Sequence, residues 1–266
     1  MRRIFLLAVF LCCAGIVFSQ TISSQLLTKK WNAWWLTSDD GGEVYGVHCF
    51  RKKISLAVKP SSFVVHVSGD NRYKLFVNGQ LASLGPARGD LYHWNFETVD
   101  IAPFLKQGDN VLAAVVWNFG KQRALAQISF RTGFILQGNT EAEEIANTNT
   151  TWKYFNDKSY SPLTPDLTYT YYALGPGEHV DLNSHPQGWQ TLEYNDKDWQ
   201  QPKTISQGLP KGVFDWFYNW MLVPRTIPQM ELTPQRFQSL REVSGAQPTK
   251  VFTAAKSPIE IPANSK

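Results

Sequence analysis

Two short runs, FVVHV (63–67) and YKLFV (73–77), repeat their apolar residues at every second position: Phe63, Val65 and Val67, then Tyr73, Leu75 and Val77. A period of two belongs to strands with one buried face, because successive strand side chains point to opposite sides. Asn78-Gly79 follows the second run directly and precedes the apolar stretch LASL. Both residues tolerate the positive φ of a two-residue type I′ turn, so the pair predicts a tight hairpin. This commits the chain to an antiparallel sheet that needs a second layer to cover it.

The neighbouring segments supply that layer. In DIAPFLKQGDN, Asp100 reads as a helix N-cap, Pro103 as a first-turn residue and Gly108 as a stop, predicting one or two helical turns. NVLAAVVW is apolar on both faces, as an interior strand is, and AQISFRTGFILQG continues the sheet. The expected fold is an all-β sandwich over 28–138. From Asn139 the chain turns polar, and NTEAEEIANTNT reads as a loop with one helical turn. TWKYF and TYTYYAL read as further strands separated by Pro162 and Pro165. Residues 139–228 are expected to form either a second β lobe or a continuation of the sandwich. Residues 229–266 are expected to be a linker and the start of a further domain, with a short helix in ELTPQRFQSLREVSG and a strand-like run in SPIEIPANSK.

Residues 1–19 place Arg2 and Arg3 before an apolar run that ends at Val17-Phe18-Ser19, the pattern of a cleaved export signal. The run Ile4 to Phe18 is shorter than the roughly 20 residues a bilayer-spanning helix needs, so no membrane attachment is expected after cleavage. The chain is expected to be secreted or periplasmic. Removing the leader lowers Lys+Arg from 26 to 24 against 22 Asp+Glu, a balance that calls for no nucleic-acid partner. Only Cys49 remains, so no internal disulfide is available and burial must supply stability.

Glu178 and Asp181 in GPGEHVD raise the question of a catalytic carboxylate pair. Their offset of three places them on opposite faces of an extended segment, whereas glycosidase carboxylates must face each other across the bond they cleave. Hydrogen bonding to loop N–H groups is the preferred reading. Asp196 and Asp198 sit in turn-forming sequence flanked by Trp189 and Trp199, which reads as a loop pinned by two indoles. The most function-like loop is GPARGDLYHWNFE. There Arg88, Asp90, Tyr92, His93, Trp94 and Asn95 offer polar groups for hydroxyls and an indole for a sugar ring face. The competing and commoner arrangement is an Arg88–Asp90 or Asp90–backbone brace with Trp94 in the core. His48, His66, His93, His179 and His185 show no zinc spacing, and no nucleophile elbow or phosphate loop occurs. No cofactor is expected, although calcium near Asp70-Asn71 stays open.

Two stretches then carry a resemblance. The run from SGDNRYKLFVNGQ through DIAPFLKQGDNVL resembles the galactose-binding-like jelly roll of bacterial glycoside hydrolases. YYALGPGEHVDLNSHPQGWQTLEYNDKDW, with KGVFDWFYNWMLVPRTIPQME, resembles the N-terminal region of bacterial α-L-rhamnosidases over Trp31 to Lys266. The resemblance implies an inverting hydrolase of terminal α-L-rhamnose on plant glycans, whose catalytic acids belong to an (α/α)6 barrel outside this stretch. It implies no catalytic role for Glu178 or Asp181. The expectation is a non-catalytic N-terminal portion, partnered by the catalytic domain of the same enzyme. The alternatives are a stand-alone module for rhamnose-containing oligosaccharide and a surface scaffold without sugar affinity.

Overall fold

The computed structural model describes residues 22–38, 44–163, 175–214, 219–233 and 242. A single turn of helix α1 (Gln25–Thr28) precedes strands β1 (Trp34–Thr37), β2 (Gly46–Leu56), β3 (Val64–Asp70), β4 (Arg72–Val77), β5 (Gln80–Gly85), β6 (Trp94–Asp100) and β7 (Gly108–Asn118). Next come β8 (Gly133–Gly138), β9 (Lys153–Asn156), β10 (Tyr160–Pro162), β11 (Glu178–Val180), β12 (Lys203–Gln207), β13 (Leu209–Pro210) and β14 (Met221–Pro224). One sheet has seven strands in the order β12-β1-β8-β3-β6-β14-β13, and a second has five in the order β5-β4-β7-β2-β9. Strand β14 runs parallel to both β6 and β13, whereas the other pairs are antiparallel. The strands β10 and β11 form a separate ribbon. The expected all-β jelly-roll class is what the structure shows.

Pleating explains how the aromatics are distributed. On β3 and β4, Val65, Val67, Tyr73, Leu75 and Val77 point between the sheets and meet Phe50 of β2, Leu112 and Ala114 of β7, and Phe134 and Leu136 of β8. Alternate residues point outward and build two further clusters. Trp35, Trp94, Phe96 and Ile135 leave the outer face of the seven-stranded sheet and pack with Trp31, Trp220 and Leu222. Val47, Cys49, Ala113 and Val115 leave the five-stranded sheet and are covered by Trp189 and Trp199. Each sheet is therefore apolar on both sides, which is why β7 reads as a continuous apolar run. Burial also pushes the Cys49 thiol up and leaves it a packing residue.

The Asn78-Gly79 turn forms as the sequence requires, with φ of 50° and 81° and Val77 paired to Gln80. The Asn78 side chain also donates to Phe104 O (2.9 Å) and Asn110 Oδ1 (2.8 Å), and accepts from Val111 N (2.9 Å). Asn78→Ala is expected to destabilise the protein by about 2 kcal/mol, from the lost bonds and the left-handed backbone. Urea unfolding checks this value. At Asp100 the expectation needs correction. The 3-10 turn Ala102–Phe104 starts after Ile101, and the Asp100 carboxylate instead bridges Phe63 N and Ala102 N, both at 2.9 Å. The helical turn in 139–150 is the 3-10 segment Glu141–Ala146, closed by a Thr140–Glu143 capping box.

Of the described strands within 139–225, β9 joins β2, β12 joins β1 and β14 joins β6, while β10 and β11 pair with each other. Residues 1–225 form one unit and 226–266 another, and the described residues of the latter lie in no strand or helix. The leader, TYTYYAL, RFQSLREVSG and SPIEIPANSK fall outside the described residues, except for Glu242.

Candidate functional site

The loop between β5 and β6 is assembled from its own polar groups. Asp90 Oδ1 accepts from Tyr92 N (2.7 Å) and His93 N (2.9 Å), and lies 3.2 Å from His93 Nδ1. Its slight burial raises the carboxyl, but these N–H groups outweigh that and hold it below the ordinary aspartate value. Asn95 Nδ2 donates to Ala87 O (3.3 Å) and Arg88 O (3.1 Å). A side chain at Gly89 would run into the His93 carbonyl, so only glycine lets the loop close there. Beneath the loop the buried Glu97 carboxylate accepts from Ala87 N (2.8 Å) and pairs with Arg225 Nη1 (2.9 Å).

Trp94 corrects one expectation. It is only 3% exposed, its indole N–H donates to Ser68 Oγ (3.1 Å), and it belongs to the outer aromatic cluster. A ring in that position presents no face to a sugar. The exposed aromatic of the loop is Tyr92, at 52%, flanked by exposed Arg88 and by His93, whose Nε2 meets Lys211 Nζ. The structure thus brings Arg88, Tyr92 and His93 to one surface loop and assigns Asp90 and Asn95 to bracing it.

Four further acids are braces as well. Glu178 accepts from Tyr45 OH (2.8 Å), while Asp181 accepts from Asn183 N (3.0 Å) and Ser184 Oγ (3.0 Å). The two therefore serve separate neighbours. Asp157 accepts from Ser159 N (3.0 Å) and meets His185 Nδ1 at 2.7 Å. Asp196 binds Arg51 Nη1 and Lys153 Nζ, inside the loop that Trp189 and Trp199 pin.

Burial raises the Asp196 carboxyl, but the Lys153 bond and the Arg51 charge outweigh that and hold it below the ordinary value. A depressed acid contributes stability above its unfolded value, about 3.9, and loses it as pH falls through the folded value. Acid unfolding of Asp196→Asn should accordingly be flatter below about pH 4 than that of the parent protein.

His48 lies 3.0 Å from Tyr154 OH, and His66 lies between Thr98 and Asn139, so both are satisfied core residues. The Asp70-Asn71 corner, left open for calcium, is otherwise engaged. The buried Asp70 carboxylate accepts from Asn71 Nδ2 (2.7 Å), Phe130 N (2.8 Å) and Trp220 Nε1 (3.0 Å). An oxygen cage for a cation has no place among those donors. Among the described residues no three His, Cys, Asp or Glu groups converge for a metal ion.

Two buried charged residues of the strands were not singled out in the sequence, Arg51 and Glu97, and at Asp70 the bracing role was not. Each is a charged residue within a strand of otherwise core-facing character, which is the signal that marks them.

The two sheets and their braced loops define a jelly-roll β-sandwich. Residues 58–241 match the α-L-rhamnosidase N-terminal domain family, and the chain belongs to that family. Among solved structures it is similar to the GH78 family rhamnosidase of Bacillus sp. GL1, with 26% identity and a TM-score of 0.63 over 75% of this chain and 20% of that one. The α-L-rhamnosidase from Aspergillus terreus shares its fold at 21% identity and a TM-score of 0.52, covering 68% of this chain and 22% of that one. The α-L-rhamnosidase from Dictyoglumus thermophilum does so at 19% identity and a TM-score of 0.51, covering 66% of this chain and 21% of that one. This chain spans about a fifth of the length of these enzymes. No curated protein matches the sequence.

Proposed function

We propose that the chain is the non-catalytic β portion of an exported α-L-rhamnosidase-type glycoside hydrolase acting on rhamnose-containing plant glycans. The observation that carries this reading is the engagement of seven acids among the described residues. Asp70, Asp90, Asp157, Asp181, Asp196, Glu97 and Glu178 each serve a brace, ion pair or turn within the fold. An inverting glycosidase needs two carboxyl groups about 6.5–9.5 Å apart, with room for water and a sugar between them. Export rests on Arg2, Arg3 and the apolar run behind them. The catalytic acids belong to the part of such an enzyme outside the matched stretch. The purified chain should release no nitrophenol from an aryl α-L-rhamnoside above buffer between pH 4 and 8. Saturable turnover would refute the reading.

One observation favours a second function, sugar binding at the β5–β6 loop. Tyr92 stands exposed beside Arg88 on a loop that internal bonds hold rigid. Calorimetric titration with rhamnose and rhamnose-capped oligosaccharides should then give saturable heat that falls at least tenfold in Tyr92→Ala. Equal heats from the two proteins would remove this loop from consideration.

A further inference from the structure

Residues 118–131 form a loop whose two ends meet at one corner. Phe119 N donates to Asn71 Oδ1 (2.9 Å), and Phe130 N donates to the neighbouring Asp70 (2.8 Å). Phe130 also packs edge-on against Trp220, with ring centroids 5.2 Å apart. A loop of this length closed at its base is an Ω-loop, a form frequently used for function.

Two anomalies coincide on it. Its crown exposes Leu125 at 65% and Ile128 at 40%, and Phe130 at its base is 38% exposed, three large apolar side chains within six residues. Scattered exposed apolar residues are ordinary, whereas a contiguous group marks an interaction surface. Among the described residues, moreover, the enclosed side-chain atoms without a hydrogen-bond partner are Asn118 Nδ2, Gln127 Oε1 and Arg131 Nε, all in this loop. An unpaired enclosed polar group costs about 1–3 kcal/mol, so this loop is the least satisfied part of the described residues. Neither the bracing of the β5–β6 loop nor the packing of the two sheets makes use of the crown.

The character of the occupant follows from the side chains. The loop carries Lys121, Arg123 and Arg131 and no acid. Leu125 and Ile128 offer a sugar neither a flat π face nor a hydrogen bond, and the Phe130 ring is engaged with Trp220, but an apolar centre with a charged rim is the anatomy of a protein interface. A second copy would set like charges against each other. This chain spans only 20% of the Bacillus sp. GL1 rhamnosidase, so most of such an enzyme is available to cover the patch. Covalent linkage would raise its local concentration to the millimolar range.

We propose that the 118–131 loop is the docking surface for another domain of a rhamnosidase-type enzyme, one that presents an apolar patch ringed by acids. The proposal rests on the reading of the chain as the non-catalytic portion of such an enzyme.

The test is site-specific photo-crosslinking with benzoylphenylalanine at position 125 of the full chain, in cells that produce it, with the adduct sequenced by mass spectrometry. The expected adduct is an apolar, acid-flanked segment of a rhamnosidase-type polypeptide, on the same chain or another. Its yield should fall at least tenfold in Lys121→Glu/Arg123→Glu. Both positions are exposed, and the melting temperature of that variant should match the parent's, which separates lost docking from lost folding. Adducts only to copies of residues 1–266, only to glycan, or absent altogether would overturn the proposal, as would a yield indifferent to the charge reversal. None of these outcomes alters the turnover assay, so failure of the docking surface is told apart from failure of the non-catalytic reading.

Discussion

Arg51→Met should lower stability by about 3–5 kcal/mol, the range for breaking a buried ion pair from one side. Arg51 stands on β2, fully buried, on the same face as Val47 and Cys49, beneath the covering loop. There it donates to Trp189 O (3.0 Å) and Thr191 O and pairs with Asp196. Methionine approximates the length and apolar bulk but none of the donors, so the carbonyls and much of the Asp196 charge lose their partner. A fall in melting temperature on the order of 10 °C is expected. Asp196→Ala should cost less, because Arg51 keeps its carbonyl acceptors. Thermal unfolding followed by tryptophan fluorescence checks both, since Trp189 and Trp199 lie under the loop that would loosen. An Arg51→Met protein as stable as its parent would show that the loop holds by its indoles alone.

Asp70→Ala is expected to cost about 4 kcal/mol, because it strands several enclosed donors at about 1–3 kcal/mol each. Phe130 N, Trp220 Nε1 and Asn71 Nδ2 all lose their acceptor. Asp70→Asn should be nearly as damaging, since half of its amide is a donor facing donors. Trp220→Phe removes one of those donors, so the double variant with Asp70→Ala should cost about 1–2 kcal/mol less than the sum. The pH dependence separates Asp70 from Asp196. Burial pushes the Asp70 carboxyl above its ordinary value, against the pull of the Ser129, Trp220, Phe130 and Asn71 hydrogen bonds. An acid raised on folding loses its contribution as pH climbs from the ordinary value through the folded one. Asp70→Asn should remove that slope, and urea titrations at several pH values measure it.

The strands at 63–77 and 108–118 were legible because each carries a pattern tied to one physical requirement. Alternation, a hairpin turn with two left-handed residues, and a run apolar on both faces each admit one reading. The sequence also contained the fate of Trp94, which stands two residues before Phe96 and so shares its buried face. Residue chemistry pointed to a binding loop, while strand pleat pointed to the core, and the pleat prevailed. The closing strands were harder. MLVP and LP are too short for a period, and the parallel pairing of MLVP with β6, onto which LP then adds, depends on contacts distant in sequence. Arg51 and Asp70 were obscured for a related reason, since their partners in the 189–196 loop and at Trp220 lie far along the chain.

The seven-stranded sheet also sets a schedule for biogenesis. Its first strand pairs with one of its last, Trp34 opposite Gln207, and Phe96 waits for Pro224. At roughly 5–20 residues per second a ribosome exposes the early half for many seconds before the late half emerges. During that interval Trp31, Trp35 and Phe96 have no cover. Nascent chains halted before Met221 should therefore engage holdase chaperones, and release should coincide with translation of the final strand.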